Sequence, residues 1–171
     1  MSIIRIAITG PESTGKSMLT AQLAKHYKAV MVAEYAREYL EKLGRPYEYH
    51  DILKIAKGQL AIEKAVLKST EKFLFTDTEA IVTKIWCNVK YGRYHPWILE
   101  QIQDHPYDLY LLCNVDLPWE DDPLREHPDK RIVLFNLYQE ELVQRKLPFS
   151  IISGSGDNRL QEAIKVIDQS F

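Results

Sequence analysis

The strongest constraint on the fold of this chain is residues 10–17, which read GPESTGKS and fit the G-x-x-x-x-G-K-S pattern of a phosphate-binding loop. An apolar run at residues 3–9 precedes the loop, and a helical pattern over about 16–28 follows it. The motif works in this strand–loop–helix setting, because glycines let backbone N–H groups surround phosphate oxygens at a helix N-terminus. The sequence therefore predicts that the chain binds a nucleoside triphosphate.

Two side chains of this loop have predicted roles in binding ATP and Mg²⁺. The Lys16 ammonium would reach the β- and γ-phosphates, and the Ser17 hydroxyl would bind Mg²⁺. Lys16 is accordingly a candidate catalytic residue. The full set of residues expected to contact the nucleotide is Gly10, Glu12, Ser13, Thr14, Gly15, Lys16, Ser17, Met18, Arg125 and Asn158.

Length and composition are those of one ordinary globular domain. The chain has 171 residues, of which 46% are hydrophobic and 27% charged, and we expect a single domain over 1–171. A net charge of −2 without a long basic run gives no reason to expect a nucleic-acid partner. No apolar stretch reaches the length of a membrane span, and residues 1–5 lead straight into the first strand. We therefore expect a cytoplasmic protein, with its oligomeric state left open.

Apolar runs and helical patterns alternate along the chain. Five strands are predicted at residues 3–9, 29–33, 73–76, 108–113 and 149–152. The helices are predicted at about 16–28, 35–43, 51–69, 80–91, a short segment from Pro96, 130–146 and 158–169. This alternation predicts an α/β fold with a five-stranded parallel sheet and helices on both faces, as in P-loop nucleoside and nucleotide kinases. Ligands of such sheets bind beyond the carboxyl ends of the strands.

A carboxylate follows each of two predicted strands. Glu34 ends the second strand and Asp77 ends the third. Beside a triphosphate, one carboxylate could accept the proton of an attacking hydroxyl while the other holds Mg²⁺ with Ser17. We expect Glu34 to be the base and Asp77 to be the Mg²⁺-linked carboxylate, although the roles could be exchanged. The structural alternatives are stabilisation by a helix dipole for Glu34 and helix capping for Asp77.

The segment after the fourth strand, residues 114–131, has the character of a lid. It is long, charged and interrupted by prolines. Small-molecule kinases close such an element over the phosphates to exclude water, and an arginine that arrives with it stabilises transition-state charge. Arg125 is the expected arginine, with Arg131 as a second candidate. The alternative is an exposed loop with ordinary ion pairs.

Aromatic and charged residues outline the predicted acceptor site. Trp86 and Trp119 are candidates to stack on an acceptor ring, although an aromatic residue on a helix often belongs to the core. Arg37 lies on the same helix face as Glu34 and either pairs with it or reaches a phosphate. The predicted acceptor-binding set is Glu34, Arg37, Asp77, Trp86, Trp119 and Asp122.

Two other features complete the prediction. The glycines of residues 153–156 either let the backbone approach the nucleotide base or form a turn followed by an N-cap at Asp157. Cys87 and Cys113 are far apart in the sequence, and we expect buried thiols rather than a disulfide or a metal pair.

Six stretches of the chain match the pattern of a known family. They are residues 10–17, 34–39, 56–59, 77–79 together with Cys87, 92–96 and 118–125. On these stretches the chain resembles the ribosylnicotinamide kinase domain of NadR-type proteins. The resemblance implies ATP-dependent phosphorylation of the ribose 5′-hydroxyl of nicotinamide riboside, which gives nicotinamide mononucleotide.

The chain departs from the family pattern at two positions. Glu79 stands where the family usually has aspartate, and Pro123 stands where its lid usually has glycine. Proline should stiffen the lid, which bears on its closing geometry and on acceptor choice. Since the sequence starts at the first kinase strand, we expect neither the adenylyltransferase nor the DNA-binding module of the bifunctional proteins.

Two alternative functions remain open at this stage. One is a kinase for another nucleoside or hydroxylated metabolite, and the other is a nucleotide-binding regulatory ATPase or GTPase without a small-molecule acceptor. The sequence has no base-reading motif that separates ATP from GTP.

Overall fold

A computed structural model describes residues 2–171, and within this range the chain forms five strands and seven helices. The strands are β1 Ile4–Thr9, β2 Val30–Val32, β3 Phe73–Asp77, β4 Leu109–Cys113 and β5 Phe149–Ile152. The helices are α1 Lys16–Tyr27, α2 Tyr35–Leu43, α3 Tyr49–Leu67, α4 Ala80–Tyr91, α5 Pro96–Asp104, α6 Arg131–Gln144 and α7 Gly156–Ser170. The strands pair in parallel in the order β2-β3-β1-β4-β5. The predicted fold class is confirmed.

Both faces of the sheet are covered because successive side chains of a strand point to opposite sides. On β1, Ile6 and Ile8 join a core with residues of α1 and α7. Ala7 between them joins a second core, formed with residues of α4, α5 and α6. The central strands are therefore mostly apolar on both faces, as expected of a parallel sheet buried on both sides, and the polar Thr76 and Asp77 stand at the carboxyl end of β3.

Helix boundaries differ from the predicted ones where capping groups decide them. α3 begins at Tyr49, before its predicted start, because Glu48 and Asp51 form a reciprocal capping box. α7 begins at Gly156 with Ser155 as its N-cap residue, so that Asp157 lies in the first turn and is not the cap.

The strand order places β1 between β3 and β4, and all carboxyl ends lie at the same edge. The loop after β1 therefore adjoins the residues that follow β3 and β4. Residues 114–130 connect β4 to α6 without a helix or strand. Cys87 and Cys113 are buried free thiols, as predicted. In the described part of the chain, no helix combines the length and the hydropathy needed to span a membrane.

Candidate active site

The phosphate-binding loop turns sharply where its glycines stand. Gly10 has a φ of 133°, and a Cβ at this position would lie 3.1 Å from the Cys113 carbonyl oxygen of β4. Gly15 has a φ of 76° and forms the N-cap position of α1. Both positions favour glycine, because L side chains rarely adopt such φ values. The loop thus curls over the N-terminus of α1, a position where backbone N–H groups can bind an anion.

The structure brings together Ser17 and Asp77, the two residues predicted to hold Mg²⁺. The Ser17 hydroxyl donates to Asp77 Oδ2 at 2.5 Å, and the Thr78 hydroxyl donates to Asp77 Oδ1 at 3.3 Å. A hydroxyl and a carboxylate are the oxygen ligands that Mg²⁺ prefers, and its other ligands are usually waters and substrate phosphates. These two groups fit such an ion. Within residues 2–171 there is no cluster of three or more His, Cys, Asp or Glu side chains that would cage a metal by themselves.

Lys16 lies in the same loop and folds over it. Its Nζ donates to the Pro11 carbonyl at 2.7 Å, and the Thr14 hydroxyl donates to the same oxygen at 2.8 Å. The ammonium is therefore held by a backbone carbonyl beside the expected phosphate position. Lys16 thus lines the cavity, and its contact with the phosphates stays a prediction.

Glu34 lines the cavity in front of this loop. It occupies the N-cap position of α2, yet its side chain makes no capping hydrogen bond. Burial raises the pKa of its carboxyl, and the nearby Asp77 charge raises it further, while Lys16 and Arg37 lower it. A carboxylate with a raised pKa and no role in the helix end is suited to accept a proton.

Glu79, which departs from the family pattern, caps a helix behind the cavity. Its carboxylate accepts from the Ile81 N–H at 2.7 Å and from the Thr9 hydroxyl at 2.9 Å. Complete burial raises its pKa to about 7. Since Glu79 is the N-cap residue of α4, Asp77 is not used for capping there.

The lid is closed onto the phosphate-binding loop. The Glu12 carboxylate accepts from the backbone N–H groups of Glu126 and His127, at 3.1 and 3.0 Å. The Ser13 hydroxyl accepts from the Glu120 N–H at 2.9 Å. Arg131 donates to the carbonyls of Ser13 and Leu117, at 2.9 and 3.0 Å. The lid and the loop are thus joined by several hydrogen bonds.

Both lid arginines reach the loop through their side chains, but of the two Arg125 lines the cavity in front of it. Its Nη1 donates to the Ser13 hydroxyl at 3.4 Å and to the Glu120 carbonyl. Arg131, in contrast, is the first residue of α6 and is engaged with two carbonyls. Arg125 therefore has the better position for a phosphate.

Pro123 lies in a tight turn that ends at Arg125. The Arg125 N–H donates to the Asp122 carbonyl at 3.0 Å, which makes Pro123 the second residue of a four-residue turn. Proline is favoured at that position because its φ is already correct. The Asp122 carboxylate accepts from the Leu124 N–H at 2.9 Å and pairs with Arg37 at 3.0 Å. The glycine-to-proline departure is thus compatible with a closed lid. Arg37 pairs with Asp122 of the lid and not with Glu34.

A cavity of about 520 Å³ lies between the loop and the lid. One wall is apolar and consists of Leu40, Val82, Ile85, Trp86, Val89, Leu134 and Tyr138. The Trp86 Nε1 donates to the Tyr47 hydroxyl at 2.9 Å, and that hydroxyl donates to Glu126 Oε2 at 2.5 Å. Trp86 is therefore fixed to the lid through Tyr47 and presents a ring to the cavity.

Most of the predicted site residues line this cavity. They are Gly10, Glu12, Ser13, Thr14, Gly15, Lys16, Ser17, Met18, Glu34, Arg37, Trp86 and Arg125. Four predicted residues do not line it. Asp77 lies behind Ser17, Asp122 pairs with Arg37, and Asn158 is exposed. Trp119 donates its Nε1 to Asp121 at 2.8 Å and packs beside Arg125.

Sequence reasoning missed two parts of the site. The first is the rest of the apolar wall from α4: Val82, Ile85 and Val89 share one helix face with the predicted Trp86, at the spacing i, i+3, i+4, i+7. That spacing was visible in the sequence, but it is also the pattern of any core-facing helix. Tyr47 lies in the turn after Gly44 and carries no signal of its own.

A parallel sheet of this order, a phosphate-binding loop after its central strand and a lid closed over that loop define the class of P-loop nucleoside and nucleotide kinase folds. Within it, the chain belongs to the AAA domain family, whose model matches residues 5–159. The deoxyadenosine kinase of M. mycoides has the same fold, with a TM-score of 0.71, 14% identity, and coverage of 97% of this chain and all of that one.

The resemblance to NadR is confirmed in sequence and in fold. The trifunctional NAD biosynthesis/regulator protein NadR of Salmonella typhimurium is 30% identical over 171 aligned residues, and the match covers 96% of this chain and 42% of that protein. Crystal structures of NadR in complex with NR, and with NAD and AMP-PNP, superpose with TM-scores of 0.85 and 0.79 at 23% and 22% identity. Each match covers 98% of this chain and about half of the solved chain. The chain thus spans less than half of the curated relative that it matches.

Proposed function

We propose that this chain is an ATP-dependent kinase that phosphorylates the 5′-hydroxyl of nicotinamide riboside and so forms nicotinamide mononucleotide. One observation carries the proposal: the Glu34 carboxylate, which accepts no capping hydrogen bond from its helix, lines the cavity together with Lys16 and Ser17. The similarity to NadR, whose crystal structure contains NR, supports nicotinamide riboside as the acceptor.

Glu34 is the proposed general base. Burial raises the pKa of its carboxyl toward neutral pH, where a general base is most effective, while the charges of Lys16 and Arg37 lower that pKa and so favour the ionised form. In the reaction, Glu34 accepts the proton of the 5′-hydroxyl as its oxygen attacks the γ-phosphorus, and the bond from that phosphorus to the β,γ-bridging oxygen breaks, so that ADP leaves. Asp77 is less suited to this role, because its two oxygens already accept hydrogen bonds from Ser17 and Thr78.

The donor side of the cavity holds the triphosphate. We propose that the N–H groups of the loop and the Lys16 ammonium bind the β- and γ-phosphates, and that Arg125 adds a second positive charge from the lid. Ser17 and Asp77 would hold Mg²⁺, which supplies neutralisation of the phosphate charge. With the lid closed, water is kept from the transferring group.

The acceptor ring fits against the apolar wall. Trp86 presents an aromatic face, and its Nε1 is fixed by Tyr47, so that stacking does not require the ring to be ordered on binding. A cationic ring would gain further attraction from that π face.

We also propose that residues 1–171 act as a single kinase domain. Because the activity consumes ATP, we propose that it takes place in the cytoplasm.

Product mass spectrometry tests the proposal. The chain is incubated with ATP or GTP, Mg²⁺ and a panel of nicotinamide riboside, ribonucleosides and deoxyribonucleosides. We expect selective formation of nicotinamide mononucleotide with ATP. A phosphorylated product from another nucleoside would keep the mechanism and overturn the acceptor. Nucleotide binding with no product from any acceptor would instead indicate a regulatory nucleotide-binding protein.

A further inference from the structure

A buried arginine outside the cavity connects three loops of the active-site edge. Arg159 lies in the first turns of α7 and is only 4% exposed. Sequence reasoning assigned it no role. Its four Nη hydrogen bonds go to four different acceptors, none of which belongs to its own helix.

The first acceptor is in the phosphate-binding loop itself. Arg159 Nη2 donates to the Thr14 carbonyl at 2.8 Å. A Cβ at the next residue, Gly15, would lie 3.9 Å from Arg159 Nε, so the guanidinium lies directly beneath the loop. The peptide that joins Thr14 to Gly15 carries this carbonyl on one side and the Gly15 N–H on the other. Holding the carbonyl therefore sets the direction of an N–H at the expected phosphate position.

The other acceptors belong to the lid root, which we define as residues 114–116, and to the base loop, residues 153–156. Nη2 also donates to the Asn114 carbonyl at 3.1 Å, and Nη1 donates to Asp116 Oδ1 at 2.7 Å and to the Gly154 carbonyl at 2.8 Å. The other oxygen of Asp116 accepts from the Gly154 N–H at 2.6 Å. One guanidinium thus fixes the phosphate-binding loop, the lid root and the base loop relative to one another.

We infer that Arg159 is a positioning residue for the nucleotide phosphates, acting through the Thr14 peptide of the phosphate-binding loop and anchored by Asp116. The inference rests on the nucleotide site of the proposed function. Lysine cannot replace Arg159. Its single Nζ carries three donors at one point, whereas the four acceptors lie around the two separate Nη atoms of the arginine.

The test compares two buried arginines in the full chain. Arg159→Lys is compared with Arg5→Lys, since Arg5 is also ion-paired and largely buried but lies at the opposite end of the sheet. Calorimetry measures the affinity for Mg²⁺·AMP-PNP and for Mg²⁺·tripolyphosphate, which has no base. In Arg159→Lys we expect both affinities to fall by the same factor, about 10- to 100-fold, the effect of losing one charged hydrogen bond at the loop. Arg5→Lys should lower the melting temperature and leave both affinities unchanged.

Several results would overturn this inference. One is an Arg159→Lys variant that loses stability as Arg5→Lys does and keeps its nucleotide affinity. Another is a loss for AMP-PNP without a loss for tripolyphosphate, because that would place the effect at the base loop. If Arg159→Lys does not fold, Asp116→Asn releases the anchor at a partly exposed position. It should weaken both ligands by about 3- to 10-fold, and unchanged affinities in this variant would also overturn the inference.

These nucleotide affinities test the role of Arg159 alone, and the proposed function is tested separately by product formation. Wild-type chain that binds AMP-PNP but phosphorylates no acceptor would end the kinase proposal and leave the role of Arg159 measurable. A kinase with unaltered nucleotide binding in Arg159→Lys would end only the inference.

Discussion

Charged side chains at the two ends of the parallel sheet differ in their hydrogen-bond partners. At the amino end, the Arg5 guanidinium donates to Glu63 and to the Pro106 carbonyl, and Glu63 also accepts from the Tyr107 hydroxyl. At the carboxyl end, Glu34 forms no bond to its helix and Lys16 holds only a backbone carbonyl.

Burying a charge without a partner costs free energy, so partners are the rule where charge serves only the fold. The amino end follows this rule. The carboxyl end pairs Arg159 with Asp116 but leaves Glu34 and Lys16 without a salt bridge among residues 2–171, and this difference points to the candidate active site independently of any motif. The predictions below test whether the two ends are as distinct as their bonding suggests.

The largest effect is expected from Lys16→Ala. Removing the cation beside the transferring phosphate should lower the rate of phosphoryl transfer by about 10³-fold or more. Stability should change little, because the ammonium bonds a carbonyl rather than a buried carboxylate. Product formation and thermal unfolding measure the two effects. The control is Lys25→Ala, an exposed position on the same helix. A rate within about tenfold of wild type would remove Lys16 from the mechanism.

Glu63→Gln should have the opposite effect: it should lower the stability and leave the reaction rate unchanged. The change leaves the Arg5 charge without its carboxylate, and we expect a loss of about 3 kcal/mol in the free energy of unfolding. The turnover of the folded protein should be unchanged. Urea unfolding and the initial rate measure this, with the exposed Glu71→Gln as the control. A lower rate at unchanged stability would show that the amino end contributes to catalysis and would break the comparison.

Glu34→Gln should lower kcat by about 10²-fold or more while nucleotide affinity is kept. In the wild type, activity needs the ionised carboxylate, so the rate should fall as the pH drops through the pKa of Glu34. Since burial raises that pKa, the acid limb should lie above the position of an ordinary glutamate. The pH–rate profile of the variant should lose this limb. Glu38→Gln, an exposed change on α2, is the control, and an unaltered limb in Glu34→Gln would assign the base elsewhere.

The last effect is a change of stability that appears only when the pH is varied. It concerns Glu79, which is buried at the carboxyl end but does not line the cavity. Its pKa of about 7 lies above the ordinary 4.5, so the folded chain binds this proton more tightly than the unfolded chain. The resulting stability is complete below pH 4.5 and is lost as the pH rises through about 7. Relative to Glu79→Gln, the wild type should lose on the order of 3 kcal/mol over that window.

Urea unfolding at about pH 4 and about pH 8 measures this difference between the two proteins. A constant difference would show that folding does not shift the pKa of Glu79. Glu79 would then belong with the charged groups of the cavity rather than with the capping groups of the fold.

The sheet and the donor side of the site could be predicted from the sequence because both depend on local patterns. The loop motif lies between a strand and a helix, and Asp77 ends an apolar strand that pairs with β1. Parallel pairing then brings Asp77 to Ser17, since both follow strand ends at one edge.

The path of the lid could not be predicted, because its contacts join residues distant in the sequence and follow no period. Glu12 bonds residue 126, which is 114 positions away. Helical spacing pointed Arg37 toward Glu34 or a phosphate, yet its partner is Asp122, 85 positions away. The role of Arg159 was equally hidden, since three loop carbonyls and one carboxylate define it and only the fold brings them together.

The proline turn of the lid has a consequence for the thermodynamics of closure. A proline removes conformational freedom from a flexible segment, which stabilises the ordered form by roughly 0.4–1 kcal/mol when its φ is compatible. The turn from Asp122 to Arg125 satisfies that condition. Less entropy is then lost when the segment docks on the loop than with a glycine at residue 123, so closure should depend less steeply on temperature.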